Sequence, residues 1–319
     1  MNRKLAFGLL VLANVFWGSS YVAAKLALRD LPPPLLGALR VTLASALIWL
    51  AALPAWRAHG WGGVARRVAA VPRRDALRLA GLGAGGLAVD YLLAYQGISR
   101  TSATDASLMI IGEVIFTTLL AVALLGERLS RRKLAGIGAG AAGVAALVFG
   151  GGAAEAGSGA RAIGDALILC GLLAAALYSV LGAGMARKYA PIAIMAYAHA
   201  GSMLVWAPVL AWYALRGFPA VHWPAAASVV YLGLVTSLLC YLLWFAAAPV
   251  VGADRGAVTL FVQPLVGALL GLLLLHEPLT LARAVGAALI FLALYLTSVP
   301  GRRPRRAGAR AVNDAPGAL

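Results

Sequence analysis

Charge is scarce in this chain of 319 residues: Asp, Glu, Lys and Arg supply 12% of it, and only 11 residues are acidic. Soluble domains carry about 25% charged residues, so an ordinary water-facing surface cannot be built from this composition. Cysteine is scarcer still. Cys170 and Cys240 both fall within apolar runs, which excludes a disulfide framework and leaves two packing thiols. Histidine occurs only at positions 59, 199, 222 and 276, so the His-Glu-x-x-His pair of a zinc protease is missing. There is no Walker-type glycine loop ending in lysine and no Asp-rich loop to hold Mg²⁺ for prenyl or phospho-sugar transfer. These absences argue against an intramembrane enzyme, and neither a metal nor a cofactor is expected. No segment between apolar runs is long enough for a separate soluble domain. The longest, 55–75, is basic, contains Trp56, Trp61 and Pro72, and is expected to lie on the inner membrane surface.

Hydrophobic residues make up 62% of the chain, Gly adds 37 more, and the mean hydropathy is +0.88. So much apolar surface excludes both a water-soluble fold and disorder. About 20 apolar residues of helix cross a hydrocarbon layer about 30 Å thick. Ten such runs occur: 5–28, 34–54, 76–98, 103–125, 134–149, 164–186, 192–215, 225–248, 254–275 and 281–299. Lipid offers the backbone no hydrogen bonds, so these runs are expected to be helices. The first follows Arg3 and Lys4 but exceeds the apolar stretch of a signal peptide, and it is read as a retained first helix.

The basic residues then report orientation. Ten spans put both termini on one side. That side collects 20 Lys and Arg, and the other holds only Arg29, Arg100, Arg161, Arg216 and Arg283. The positive-inside rule makes the rich side cytoplasmic. The net charge of +16 is therefore a topology signal divided among short loops, and no nucleic-acid partner is expected.

The chain also matches itself. A shift of 150 pairs Gly83 with Gly233, Tyr91-Leu92-Leu93 with Tyr241-Leu242-Leu243, Glu127 with Glu277, Leu129 with Leu279, Ser130 with Thr280 and Gly136 with Gly286. Each half holds five spans, an odd number, so the second half enters the membrane inverted. The expected organisation is a first repeat over 1–149, a linker over 150–163, a second repeat over 164–299 and a basic cytoplasmic tail over 300–319. Inverted repeats mark secondary transporters, whose site lies near the midplane between the halves.

These features resemble the EamA-like family of the drug/metabolite transporter superfamily. Trp17-Gly-Ser-Ser-Tyr-Val-Ala-Ala-Lys25 looks like that family's opening Trp-Gly-x-x-x-x-x-x-Lys pattern, and Arg40 also matches. Gly126-Glu-Arg-Leu-Ser130 and Glu277-Pro-Leu-Thr280 look like the mark that closes the fourth span of each repeat. The resemblance covers nearly the whole chain. It implies an all-α, ten-helix membrane protein of two inverted five-helix bundles. It also implies alternating access around a cavity lined by helices 1, 3, 4, 6, 8 and 9, and transport of small metabolites, often amino acids or related compounds, outward across the bacterial inner membrane. Other classes weighed are a lipid or glycolipid flippase of the same superfamily and a receptor or scaffold. Oligomeric state, monomer or homodimer, is left open. One departure is Val114, where many relatives have Pro; Gln263-Pro264 keeps it, so the helix holding Glu113 is expected to be the straighter of the two.

Polar groups inside apolar runs are costly and are functional candidates by default. Glu113 and Gln263 sit at central positions related by the 150 shift, and Asp90 lies a little past the centre of its run. Glu113 is expected to bind an amine or to carry a proton, with Asp90 as the other proton-coupling candidate. Asp105, Met109, Glu113 and Thr117 are expected on one helix face by their spacing of four. Trp17 and Tyr21 form a candidate aromatic wall, joined by Tyr95, Tyr178, Tyr241 and Trp244 as substrate-binding candidates. Lys25 is a candidate too, with snorkelling or a pair with Asp105 as the bland alternative. His199 reads as a packing histidine, and Glu127 and Glu277 as loop anchors. Gly136-x-x-x-Gly140 and Gly267-x-x-x-Gly271 read as close helix contacts.

Overall fold

An apolar segment satisfies its backbone internally only as a helix when water is excluded. The structure, a computed structural model, describes residues 2–52, 62–126, 129–150, 158–252, 256 and 258–298, and all regular structure in these residues is helical. In chain order the helices are α1 (Arg3–Ala27), α2 (Pro33–Ala52), α3 (Gly62–Ala69), α4 (Arg73–Ile98), α5 (Ala103–Leu125), α6 (Arg131–Gly150), α7 (Ser158–Ala186), α8 (Pro191–Arg216), α9 (Trp223–Val251), α10 (Val262–Leu274) and α11 (Leu281–Ser298). Eight of them are long and apolar enough to cross a membrane. The ninth and tenth expected spans are shorter apolar helices, α10 with 13 residues and α11 with 18. Glu127, Trp56, Trp61, residues 151–157 of the expected linker and the basic tail lie outside the described residues.

Large apolar side chains point outward along these helices. Phe149 is 82% exposed, Leu204 73% and Leu281 81%, which suits contact with lipid and would be unfavourable in water. Small residues face inward instead. The helix α6 packs along α11. A Cβ built on Gly143 would stand 3.0 Å from the Gly286 carbonyl oxygen, so the two backbones nearly touch. The central helix α1 packs against α9, α10 and the first turns of α5, while α2 lies between α8 and α9 and α4 lies against α7 and α8. Part of the basic 55–75 segment is the short helix α3. Val68 and the following Val71 are buried in a cluster with Ile48, Leu79 and Met195. On the opposite side, the Asp30 carboxylate accepts from the His222 backbone N–H at 2.7 Å, tying the α1–α2 turn to the start of α9. That bond holds the Asp30 carboxyl below its ordinary range.

Four helices are irregular where they face the centre. α4 carries π-helical turns over Gly83–Leu87 and α9 over Tyr231–Leu239. α5 is broken at Met109 and Ile110: Gly112 N–H donates to the Met109 carbonyl (2.8 Å) and Glu113 N–H to the Ile110 carbonyl (3.0 Å). Leu260 and Phe261 make the same tight turn before α10, with Gln263 N–H donating to the Leu260 carbonyl. The expectation that Val114 leaves the Glu113 helix straighter therefore fails. Packing breaks α5 without proline, because Ala103–Leu108 lies against α10 whereas Ile111–Leu125 lies against α7. The break also divides the face expected from spacing. Asp105 and Met109 are fully buried on one side of it, and Glu113 and Thr117 face the interior cavity on the other.

Candidate functional site

Helices that cannot close their faces completely leave a cavity of about 640 Å³, lined by α1, α4, α5, α7, α9 and α10 with contributions from α2, α8 and α11. That volume lies within the range of small-molecule sites, roughly 300–1,000 Å³. Nine of the ten expected site residues line it: Trp17, Tyr21, Asp90, Tyr95, Glu113, Tyr178, Tyr241, Trp244 and Gln263.

Trp17 makes the aromatic wall. Its indole N–H donates to the Thr236 carbonyl at 3.0 Å, which fixes the ring, and its ring lies 5.3 Å from Tyr241 and 5.7 Å from Trp244. The irregular helix turns position the polar groups. Asp90 follows the π-helical turns of α4, and Glu113 and Gln263 follow the tight turns of α5 and α10. The close approach of α1 and α10 at this level depends on Gly18, where a Cβ would stand 2.5 Å from the Gln263 carbonyl oxygen. Asp90 and Glu113 are half-buried. Neither carboxyl has a cation within 4.0 Å among the described residues.

Lys25 is the exception. Its ammonium is turned away from the cavity and donates to the carbonyls of Ile98 (2.8 Å) and Thr101 (2.5 Å), capping the end of α4. Nor does Lys25 pair with Asp105. That carboxylate is held by Arg283 (3.0 and 3.1 Å) and by Arg161 (2.9 Å). Glu277 anchors as expected, accepting from the backbone N–H groups of Ala103 and Thr104 at 2.7 and 2.9 Å; a carboxylate suits a helix N-terminus. His199 is buried, with its ring Nδ1 on the Met195 carbonyl at 2.9 Å.

These charges share one end of the molecule. Ala24 and Ile98 mark that limit of the cavity, and beyond them Lys25, Glu277, Asp105, Arg161 and Arg283 knit α1, α4, α5, α7 and α11 together. At the other limit the lining reaches Ala186 and Pro191, at the ends of α7 and α8.

One lining residue, Tyr91, is legible in the sequence but passed over, and Arg40 is open there between snorkelling, a structural pair with a carboxylate and anion binding. Tyr91 pairs with Tyr241 in the 150 shift, and both line the cavity. Arg40 stands about two turns inside an apolar run, and its sequence position does not separate those three readings. In the fold it is 8% exposed, with Nε on Ser237 Oγ (2.7 Å), Nη1 on Tyr95 Oη (2.6 Å) and Nη2 on Thr236 Oγ1 (3.1 Å). Its guanidinium carbon lies 4.3 Å from the Tyr91 ring centre.

Comparison with known proteins agrees with this architecture. The model of the EamA-like transporter family matches residues 4–149 and again 162–299. A protein of Streptantibioticus cattleyicolor named a probable terminal-alkyne amino-acid exporter is 29% identical over 95% of this chain and 100% of its own. A probable amino-acid metabolite efflux pump of Salmonella typhimurium is 28% identical, covering 96% of this chain and 98% of that one. One solved crystal structure overlaps with a TM-score of 0.62 at 21% identity, over 93% of this chain and 97% of the other, a likeness of fold alone.

Proposed function

From a chain that belongs to the EamA-like transporter family, we propose a secondary transporter that exports small metabolites, amino acids or related compounds, across the bacterial inner membrane. The observation that carries this reading is the cavity itself. It holds an aromatic wall, two carboxyls with no ion-pair partner among the described residues and the Gln263 amide. It also runs toward one end of the bundle while a charged cluster ties the helices at the other. Alternating access requires such an asymmetry: one end is latched while the other communicates with the site.

The two family matches and the irregular turns at corresponding places in α4 and α9 and in α5 and α10 support two inverted repeats around this site. Glu113 and Asp90 bind the substrate amine or carry the coupled proton, because a carboxyl can take up a proton on one side and release it on the other. Gln263 and the tyrosines orient the substrate through neutral hydrogen bonds, and Trp17, Tyr21, Tyr178 and Trp244 cover its apolar part. Lys25 acts outside the cavity by holding the end of α4.

The test is flux. The purified protein in liposomes is expected to move at least one compound from a panel of radiolabelled amino acids, amines and nucleobases, faster with a pH gradient than without. Glu113→Gln is expected to remove the response to the gradient. Absence of flux for every compound, with the fold intact, would refute the reading.

A further inference from the structure

The three charged side chains that line the cavity, Arg40, Asp90 and Glu113, have an unusual property in common: none has an opposite charge within 4.0 Å among the described residues. Arg40 is more than nine-tenths buried, yet no carboxylate lies within 4.0 Å of it among the described residues. Its recorded partners are all neutral: the hydroxyls of Tyr95, Thr236 and Ser237, and the ring of Tyr91. A desolvated guanidinium without a counter-ion is costly. The hydroxyl groups offset part of that cost by accepting three of its five N–H groups, and two remain.

The cradle is built rather than incidental. Thr236 and Ser237 belong to the π-helical turns of α9, and each hydroxyl donates back to the Leu232 carbonyl, at 2.7 and 2.9 Å. Each oxygen is thereby left to accept from Arg40. Tyr95 also accepts from Arg40, which leaves its own O–H proton to be donated elsewhere. One Arg40 N–H on each terminal nitrogen and the Tyr95 O–H are thus available at a wall of the cavity.

We propose that Arg40 and its hydroxyl cradle form a carboxylate-binding subsite that determines which compounds the transporter accepts. Planar guanidinium groups match carboxylates through two parallel hydrogen bonds, and the substrate brings the counter-ion that the protein omits. The proposal rests on the transport reading above and sharpens it. With Arg40 holding the acid group and Asp90 or Glu113 facing the ammonium, the cavity selects compounds that carry both charges.

Phenylalanine, phenethylamine and 3-phenylpropionate share one side chain and differ only in these charged groups, so binding of each to the full chain in detergent isolates the subsite. In the wild type, phenylalanine is expected to bind at least about tenfold more tightly than either analogue. Arg40→Gln is expected to weaken phenylalanine to the level of phenethylamine and to leave phenethylamine unchanged; Arg40→Lys restores only part of the difference, because an ammonium lacks the fork. Equal loss of phenylalanine and phenethylamine in Arg40→Gln would make Arg40 a brace and overturn the proposal. If that variant does not fold, the wild-type comparison decides alone, and phenethylamine binding as tightly as phenylalanine overturns it. Should neither phenylalanine nor any other common amino acid bind, the subsite is refuted. Flux of an amine in the same vesicles would then keep the transport reading standing, and no flux of any compound would remove both.

Discussion

Replacing Asp105 with asparagine removes a carboxylate that both Arg161 and Arg283 hold, and the consequence can be worked from the geometry. The carboxylate is fully buried and accepts three charge-assisted bonds of 2.9, 3.0 and 3.1 Å. Taking one partner from a buried ion pair costs about 3–5 kcal/mol. Two features set the lower end of that range. The Arg161 side chain is 19% exposed, and Asp165 also interacts with both arginines. About 3 kcal/mol is more than a hundredfold in an equilibrium constant. If the cluster latches only one end of the bundle in one state, that factor shifts the population toward the state open at that end. Accessibility measures it. In a background lacking Cys170 and Cys240, Ala24→Cys places a thiol at this limit of the cavity, the one expected to face outward. A membrane-impermeant maleimide added outside right-side-out vesicles is expected to label it many times faster when Asp105 is asparagine. An unchanged labelling rate together with a lowered unfolding temperature would refute the latch, because the cluster would then stabilise both states alike.

Two further outcomes follow from single contacts. Lys25→Met removes two charged bonds from the end of α4 and is expected to lower stability by about 1.5–3 kcal/mol in thermal unfolding while leaving substrate affinity within twofold; a weaker affinity at unchanged stability would return Lys25 to the binding site. Gly18→Ala sets a methyl group 2.5 Å from the Gln263 carbonyl oxygen and is expected to cost about 1–3 kcal/mol and to slow flux. Gly8→Ala, with nothing within 4 Å, is the control, and equal behaviour of the two would refute the close packing of α1 on α10.

Much of this architecture is legible one residue at a time. Long apolar runs announce helices because lipid leaves the backbone no other partner, and Glu113, Gln263 and Asp90 stand out because polar groups are rare there. Spacing alone fails where a helix breaks. Asp105 and Glu113 are eight residues apart and would share a face on a regular helix, but α5 bends between them to satisfy two different neighbours, α10 and α7. Arg40 and Lys25 fail for a related reason. Both are lone basic residues in apolar runs, and only their neighbours from other helices tell them apart: carbonyls of α4 and of the turn after it for Lys25, hydroxyls of α4 and α9 for Arg40.

Composition, hydropathy, the count of basic residues by side and the 150-residue repeat by themselves determine an all-helical membrane protein, its expected orientation and the short set of polar residues worth testing. Those are properties of a chain in a solvent, and each residue contributes to them independently. Which polar residues meet in one cavity, which tie the far end and which cation lines the cavity among neutral partners are decided only by tertiary structure. Each depends on atoms more than fifty residues apart in the chain being brought within about 3 Å.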